Sequence, residues 1–242
     1  MKIFNETELV SHIDDALKKL KKVIYQFKEN NEKRAVLLGY WIKDYATYIS
    51  KEDSYEYPQY KYERGDVVQV NFGYRIGREI GGRHFAVVIE NSNSIKQQTV
   101  TVVPLMSLKD TTKNGKYTFT LKTGLYELHN KKFDKLMDEF NYLSKEIDSL
   151  IEDANFSEEK VELIKAKLSK SKKVLKELKA FKKALEKLKT GSIIDVGQVV
   201  TISKMRISNP KNSKDSLSKI KLSNEDLDEL NKKLISLYVN KC

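Results

Sequence analysis

Within the twelve residues from Gly73 to His84 the chain sets glycines at 73, 77, 81 and 82, arginines at 75, 78 and 83, a carboxylate at Glu79 and an imidazole at His84. Glycine lets a backbone approach a phosphate closely, and arginine offers a planar fork of donors. The combination reads as a phosphate-holding loop; its other reading is a long hairpin loop with solvated arginines. His84 can give or take a proton near neutral pH. Arg83 donates hydrogen bonds and carries charge but does not act as a base. Ser107, further along, offers a hydroxyl to a phosphate oxygen. Metal chemistry finds no pattern: His12, His84, His129 and Cys242 are scattered without ligand spacing. The glycines lie between two strand-like runs, not ahead of a helix, so neither a Walker loop nor a dinucleotide fingerprint is present. No cofactor is expected.

The elements that must position these residues are short strands. Val67 to Phe72 alternates apolar and polar after a turn at Arg64-Gly65-Asp66; Phe85 to Glu90 and Thr99 to Leu105 are nearly continuous β-branched runs joined by a polar turn, Asn91 to Gln98. Such runs suit strands buried in a small barrel. Asn114-Gly115 signals a further turn, and Lys116 to Lys122 alternates as a strand.

Four stretches carry a resemblance: Arg64-Gly65-Asp66-Val67; Gly77-Arg78-Glu79-Ile80-Gly81-Gly82; Phe85-Ala86-Val87-Val88-Ile89-Glu90-Asn91; and Val103-Pro104-Leu105-Met106-Ser107. In order and spacing they resemble the PemK/MazF toxin endoribonucleases, whose pattern is RGD-V, G-x-E-x-G-G, R-P-A-V-V-I with Asn soon after, and V-x-P-L-T-S. A later block, Ser192 to Ile202 followed by Arg206, is similar to the family's S-V-I-L-x-x-Q-x-R-T-I-D-x-x-R. Three positions depart from the pattern. The family's catalytic arginine falls on His84, its catalytic threonine on Met106, and the basic residue of Q-x-R-T on Val200.

The resemblance implies a small, curved SH3-like barrel in an α+β chain, pairing as a homodimer. It also implies the toxin of a toxin–antitoxin pair, with single-stranded mRNA as substrate and a cognate antitoxin as partner. Cleavage of that type uses the RNA's own 2′-hydroxyl without a metal. It leaves a 2′,3′-cyclic phosphate and a 5′-hydroxyl, and needs a base, an acid and cations around the phosphorus. His84, Arg83, Ser107 and Glu79 are the expected catalytic residues; Arg75, Arg78, Lys96, Gln198 and Arg206 are the expected RNA contacts. The alternative is a non-catalytic RNA- or protein-binding module on the same barrel.

Length and charge agree with a nucleic-acid partner. The 242 residues exceed one small barrel, and the net charge of +11 with pI near 9.3 favours an anionic partner. No long apolar run or signal-peptide core is seen, and the single cysteine excludes an intrachain disulfide, so a cytoplasmic protein away from membranes is expected. Residues 1–55 read as an N-terminal helical extension. There Val10, Ile13, Leu17, Leu20, Ile24 and Phe27 make one stripe, and Leu38, Trp41, Ile42, Tyr45 and Ile49 a second, broken near Glu29 to Asn31. Tyr55, Tyr57, Tyr60 and Tyr62 offer either stacking surfaces for bases or packing at the barrel edge. Residues 56–130 and 191–242 are assigned to the barrel. Residues 131–190 read as an inserted helical hairpin turning at Asp153 to Phe156, with a lysine-rich outer face. Ser223 with Asp226 caps a closing helix near 224–240.

Overall fold

The computed structural model describes residues 4–108, 114–153, 157–185 and 192–239. They fall into two compact units: residues 1–56 with 72–82, and residues 57–71 with 83–242.

The first unit holds two helices and the glycine loop. Helix α1 spans Glu6–Asn30 and begins with a reciprocal cap: the Asn5 side chain accepts from the Glu8 amide at 2.9 Å, and the Glu8 carboxylate accepts from the Asn5 amide at 3.1 Å. Asn31 ends it and at once caps α2, Glu32–Lys51, by accepting from the Arg34 amide at 3.2 Å. One asparagine thus makes the break that the sequence suggests there.

The second unit is α+β. In chain order it contains β1 Val67–Asn71, β2 Arg83–Val88, β3 Thr99–Ser107, β4 Thr118–Thr120, α3 Leu125–Glu152, α4 Glu158–Leu185, β5 Ser192–Asp195, β6 Val200–Ser203, β7 Ile207–Asn209 and α5 Asn224–Tyr238. All pairings are antiparallel, and the strands lie in the order β4-β5-β3-β2-β1-β7 with β6 also on β3. Strand β3 turns a corner: β6 pairs with its first half, from Thr99 to Val102, and β5 with its end, from Leu105 to Ser107. Between them a 3-10 turn, Val196–Gln198, takes up the change of register, held by the Asp195 carboxylate accepting from the Gly197 amide at 3.0 Å.

The closed barrel is not what the strands form. Among the described residues no ladder joins β4 to β7, so the curved sheet stays open. One face of it is covered by the segment before α5 and by α5 itself. Leu217, Ile220, Leu222 and Leu230 share one core with Val67, Val87, Val103, Leu105 and Ile194. Each such valine or leucine, once buried, contributes about 1.5–3 kcal/mol.

The first turn of α3 belongs to this core through Leu125 and Leu128, so the helix starts six residues before the expected 131. Beyond it α3 and α4 pack on each other around Leu143, Val174 and Leu178. The hairpin's expected turn, Asp153 to Phe156, lies outside the described residues from 154 on, as does its expected end at Gly191. Helix α5 is capped by Ser223, whose side chain accepts from the Asp226 amide at 3.2 Å.

Candidate functional site

The antiparallel ladder of β1 and β2 sets His84 opposite Val70 and Arg83 opposite Asn71. Strand β2 therefore begins at Arg83, two residues ahead of the expected Phe85. Strand β3 pairs with β2 through Ala86 and Pro104. Carried on towards the same end, that register brings Met106 level with His84 and Ser107 level with Arg83, although no ladder bond is made there. The start of β2 and the ends of β1 and β3 thus form one rim of the sheet.

Alternation along a strand divides that rim between two faces. Arg83 and Ser107 share a face with Asn71 and with the core valines Val87 and Val103; His84 and Met106 share the other with Val70 and Ala86. His84 is half-buried, whereas Arg83 and Ser107 are exposed. The two positions where the family keeps its catalytic pair, 84 and 106, are on one face. Their neighbours Arg83 and Ser107 are on the other. What His84, Arg83 and Ser107 share is a rim, not a pocket.

Arg206 joins them there. It stands at the end of a second 3-10 turn, Lys204–Arg206, and its Nε donates to the Asn71 carbonyl at 2.8 Å. Asn71 is buried, and it pairs with Arg83 across the ladder while receiving Arg206. Asn71 thus has Arg83 on its β2 side and Arg206 on its β7 side, which puts two arginines at one strand end. The other expected contacts of this unit are elsewhere. Gln198 stands on the turn between β5 and β6. Lys96 is exposed in the loop between β2 and β3, at the opposite end of those strands from Arg83.

Glu79, Arg75 and Arg78 belong to the first unit. There the Phe72 amide donates to the Gly82 carbonyl at 2.7 Å and the Gly82 amide to the Gly73 carbonyl at 2.6 Å, closing the loop on itself. Arg75 Nε donates to the Phe72 carbonyl at 3.0 Å, and its Nη1 sits 3.6 Å from the Glu79 carboxylate. Gly73 has φ of +76°, and a Cβ there would lie 2.6 Å from the Trp41 ring of α2. Arg34 of α2 hydrogen-bonds the Tyr74 hydroxyl and stacks its guanidinium 4.2 Å from the Phe27 ring. The glycine loop is thus fastened to the helical pair, and Gly73 and Gly81 need to be glycine for lack of room, since a Cβ on Gly81 would lie 2.8 Å from the Gly73 carbonyl oxygen.

Several residues singled out by motif turn out to be scaffold. Arg64 donates to the Ile89 carbonyl and to the Asn231 side chain; Asp66 accepts from the Glu63 amide at 2.8 Å. Burial raises the Asp66 carboxyl above its ordinary range. Tyr62 is fully buried with its hydroxyl on the Pro210 carbonyl at 2.7 Å; the Tyr60 hydroxyl accepts from the Lys219 amide at 3.1 Å and its half-buried ring lies 5.1 Å from that of Tyr62, so both pack at the sheet. A residue the motifs did not flag is Lys204. It is buried, donates to the Ser94 carbonyl at 2.8 Å and lies 5.5 Å from the Tyr62 ring centre; burial lowers its pKa. Its only signal in the sequence is a lysine two residues before Arg206, which by itself says nothing of burial. Among the described residues no cluster of His, Cys, Asp and Glu could hold a metal, and no helix is long and apolar enough to cross a membrane.

Residues 63–172 match the family model of the PemK-like, MazF-like toxin of type II toxin–antitoxin systems. The match takes in β1 to β4, the glycine loop and the hairpin as far as the middle of α4, and stops before Gln198 and Arg206. No curated protein matches the chain.

Proposed function

Residues 63–172 belong to the PemK-like, MazF-like toxin family, and from that premise we propose that the chain arrests growth as the toxin of its pair by cutting single-stranded RNA without a metal. The observation that supports this best is the placement of Arg83 and Arg206 on either side of Asn71, with His84 one residue along β2 from Arg83. A phosphodiester drawn across this rim would have its non-bridging oxygens held by the two guanidinium groups on one side. The imidazole would reach it from the other.

The reaction that fits is transesterification. The 2′-oxygen bonds to phosphorus, the bond from phosphorus to the 5′-oxygen breaks, and a 2′,3′-cyclic phosphate and a 5′-hydroxyl remain. His84 takes the 2′-hydroxyl proton, and the departing 5′-oxygen collects one from His84 in its protonated form or from solvent. Arg83 and Arg206 offset the charge that spreads over the phosphoryl oxygens. Ser107, level with Arg83, hydrogen-bonds one of those oxygens. Glu79, held beside Arg75, orients the loop's arginines, and Arg75, Arg78 and Gln198 contact flanking nucleotides. Lys96, at the far rim, serves a nucleotide further along the strand. We assign the sheet to 56–130 and 191–242, an appended hairpin to 131–190 and a helical extension to 1–55. The protein works in the cytoplasm as a homodimer, with a cognate antitoxin as its partner.

The test is incubation of a long RNA with the protein in EDTA, followed by end analysis. Cyclic-phosphate and 5′-hydroxyl ends at a reproducible sequence support the reading; intact RNA overturns it. A second reading, a non-catalytic module that binds RNA or protein, is favoured by one observation. Met106, on the face of His84, brings no hydroxyl to the family's threonine position. RNA retained on the protein but uncut would select that reading.

A further inference from the structure

We infer that the outward face of α4 docks the phosphate backbone of double-helical RNA, a contact carried by the inserted hairpin and not by the sheet. The helix divides its lysines in two. Those turned towards α3 are given carboxylates: Lys167 Nζ lies 2.7 Å from Glu146, and Lys170 Nζ 2.9 Å from Glu139. Glu177 of α4 in turn stands close enough to Lys132 of α3 to favour that lysine's charge. Val174 and Leu178 are buried against α3, which at 3.6 residues per turn points Lys172, Lys176 and Lys179 the other way. These three and Lys173 are exposed, and among the described residues none of the four makes an ion pair. Lys165 and Ser169 extend the row backwards in steps of four and three, so that it runs about 21 Å from Lys165 to Lys179. Only Lys165 has a partner, Glu162 of its own helix at 2.7 Å. Residues three and four apart on a helix are neighbours, so the row repels itself. The helix dipole does not account for it. Its pull is confined to the last turn, and Lys172 stands more than three turns before Leu185.

A self-repelling row of cations calls for an anion, and its composition says which. Lysine is a compact point charge, not the planar fork that reads base edges. The row holds no aromatic side chain on which an unpaired base could stack. Contact with phosphates alone follows, without regard to sequence. A-form RNA sets its two phosphate strands on either side of a deep, narrow major groove, where a straight row of point charges meets both. An anionic membrane would need an apolar face to bury in the lipid, and here Val174 and Leu178 are closed against α3. Lysine is depleted from the cores of protein–protein interfaces, which disfavours a protein partner. The choice of RNA rests on the reading of the chain as one that cuts RNA. The test reads binding and not cleavage, so a chain that holds the duplex and cuts nothing keeps this inference and loses that reading.

The experiment titrates the full chain, by fluorescence anisotropy over a range of salt, against an RNA duplex of about 16 base pairs. A second probe is the 2′-O-methylated single strand of the same sequence, which has no 2′-hydroxyl to attack with. Lys172→Gln, Lys173→Gln, Lys176→Gln and Lys179→Gln together should weaken duplex binding about tenfold or more and flatten its salt slope by about three or four. The same four positions changed to Arg should keep both, and single-strand binding by the Gln variant should change far less. Lys18→Gln, Lys19→Gln, Lys21→Gln and Lys22→Gln remove equal charge from α1 and should leave duplex binding nearly as it was. No duplex binding by the natural chain, or full binding by the Gln variant of α4, overturns the proposal. So does an equal loss in the α1 variant, or an equal loss on the single strand. Binding to anionic vesicles that needs the α4 lysines, without binding to the duplex, also overturns it and gives the face to lipid.

Discussion

His84 and Arg83 are neighbours in sequence yet face opposite ways, and their separate chemistries can be measured separately. His84→Ala should lower the cleavage rate by about 10²–10⁴, the usual cost of losing a general acid or base, while the fold survives. The wild-type cleavage rate should depend on pH, and His84→Gln should abolish that dependence. Arg83→Ala and Arg206→Ala should weaken RNA binding, with a loss that shrinks at high salt; Ser107→Ala should be milder than either. Unchanged cleavage by His84→Ala would move the base to Glu79. A second histidine governs stability instead. Burial of His129 in the first turns of α3, with the Lys132 charge nearby, lowers its pKa to about 4. The folded state thus resists a proton that the unfolded chain accepts near pH 6.5. His129 therefore costs nothing above that pH and destabilises progressively as the pH falls towards 4, by on the order of 2–3 kcal/mol. Melting temperatures across this window should fall, and His129→Gln should flatten the fall. The types of these residues were legible in the sequence; their faces were not. Which of two adjacent residues faces inward depends on where the ladder begins, and β2 begins two residues earlier than the β-branched run suggests.

At the scale of elements, the helices were the most legible part, because apolar spacing and cap residues are local signals. Their ends were less so: α3 starts at Leu125 because Leu125 and Leu128 pack into the sheet's core, a long-range contact invisible in the sequence. The same limit explains the barrel. Whether β4 pairs with β7 is a long-range matter, as is the packing of Leu217, Ile220, Leu222 and Leu230 on the strands' core residues. Replacing residues 131–190 with a short Gly/Ser linker should leave the sheet folded, since the hairpin's own core around Leu143, Val174 and Leu178 lies beyond the retained first turn of α3. A loss of near-UV circular dichroism signal beyond that of the removed residues would show that the hairpin belongs to the sheet's core. Within the glycine loop, two substitutions should differ. Gly77→Ala meets nothing within 4 Å and bears only the strain of its φ of +64°, about 1–2 kcal/mol. Gly73→Ala adds a collision with Trp41 and should cost clearly more in denaturant unfolding, unless Trp41→Ala makes room.

On the scale of the whole molecule, the net charge of +11 gives any RNA complex a strong salt dependence, and titrating affinity against salt counts the phosphates engaged. The glycine loop, however, belongs to the helical unit although its sequence lies between two strands of the sheet. This fixes an order of events on the ribosome. The two helices emerge first, but the unit is complete only when Gly82 has followed, by which time β1 is out and its partner β2 is not. The helical unit can therefore finish while the sheet is still waiting for most of its strands. A product begun at Tyr57 would carry every strand of the sheet and a loop held only by its own hydrogen bonds, without the helices that fasten it. Limited proteolysis of such a shortened chain should cut between 73 and 82 while leaving the strands intact, and equal resistance in both lengths would show that the loop holds itself.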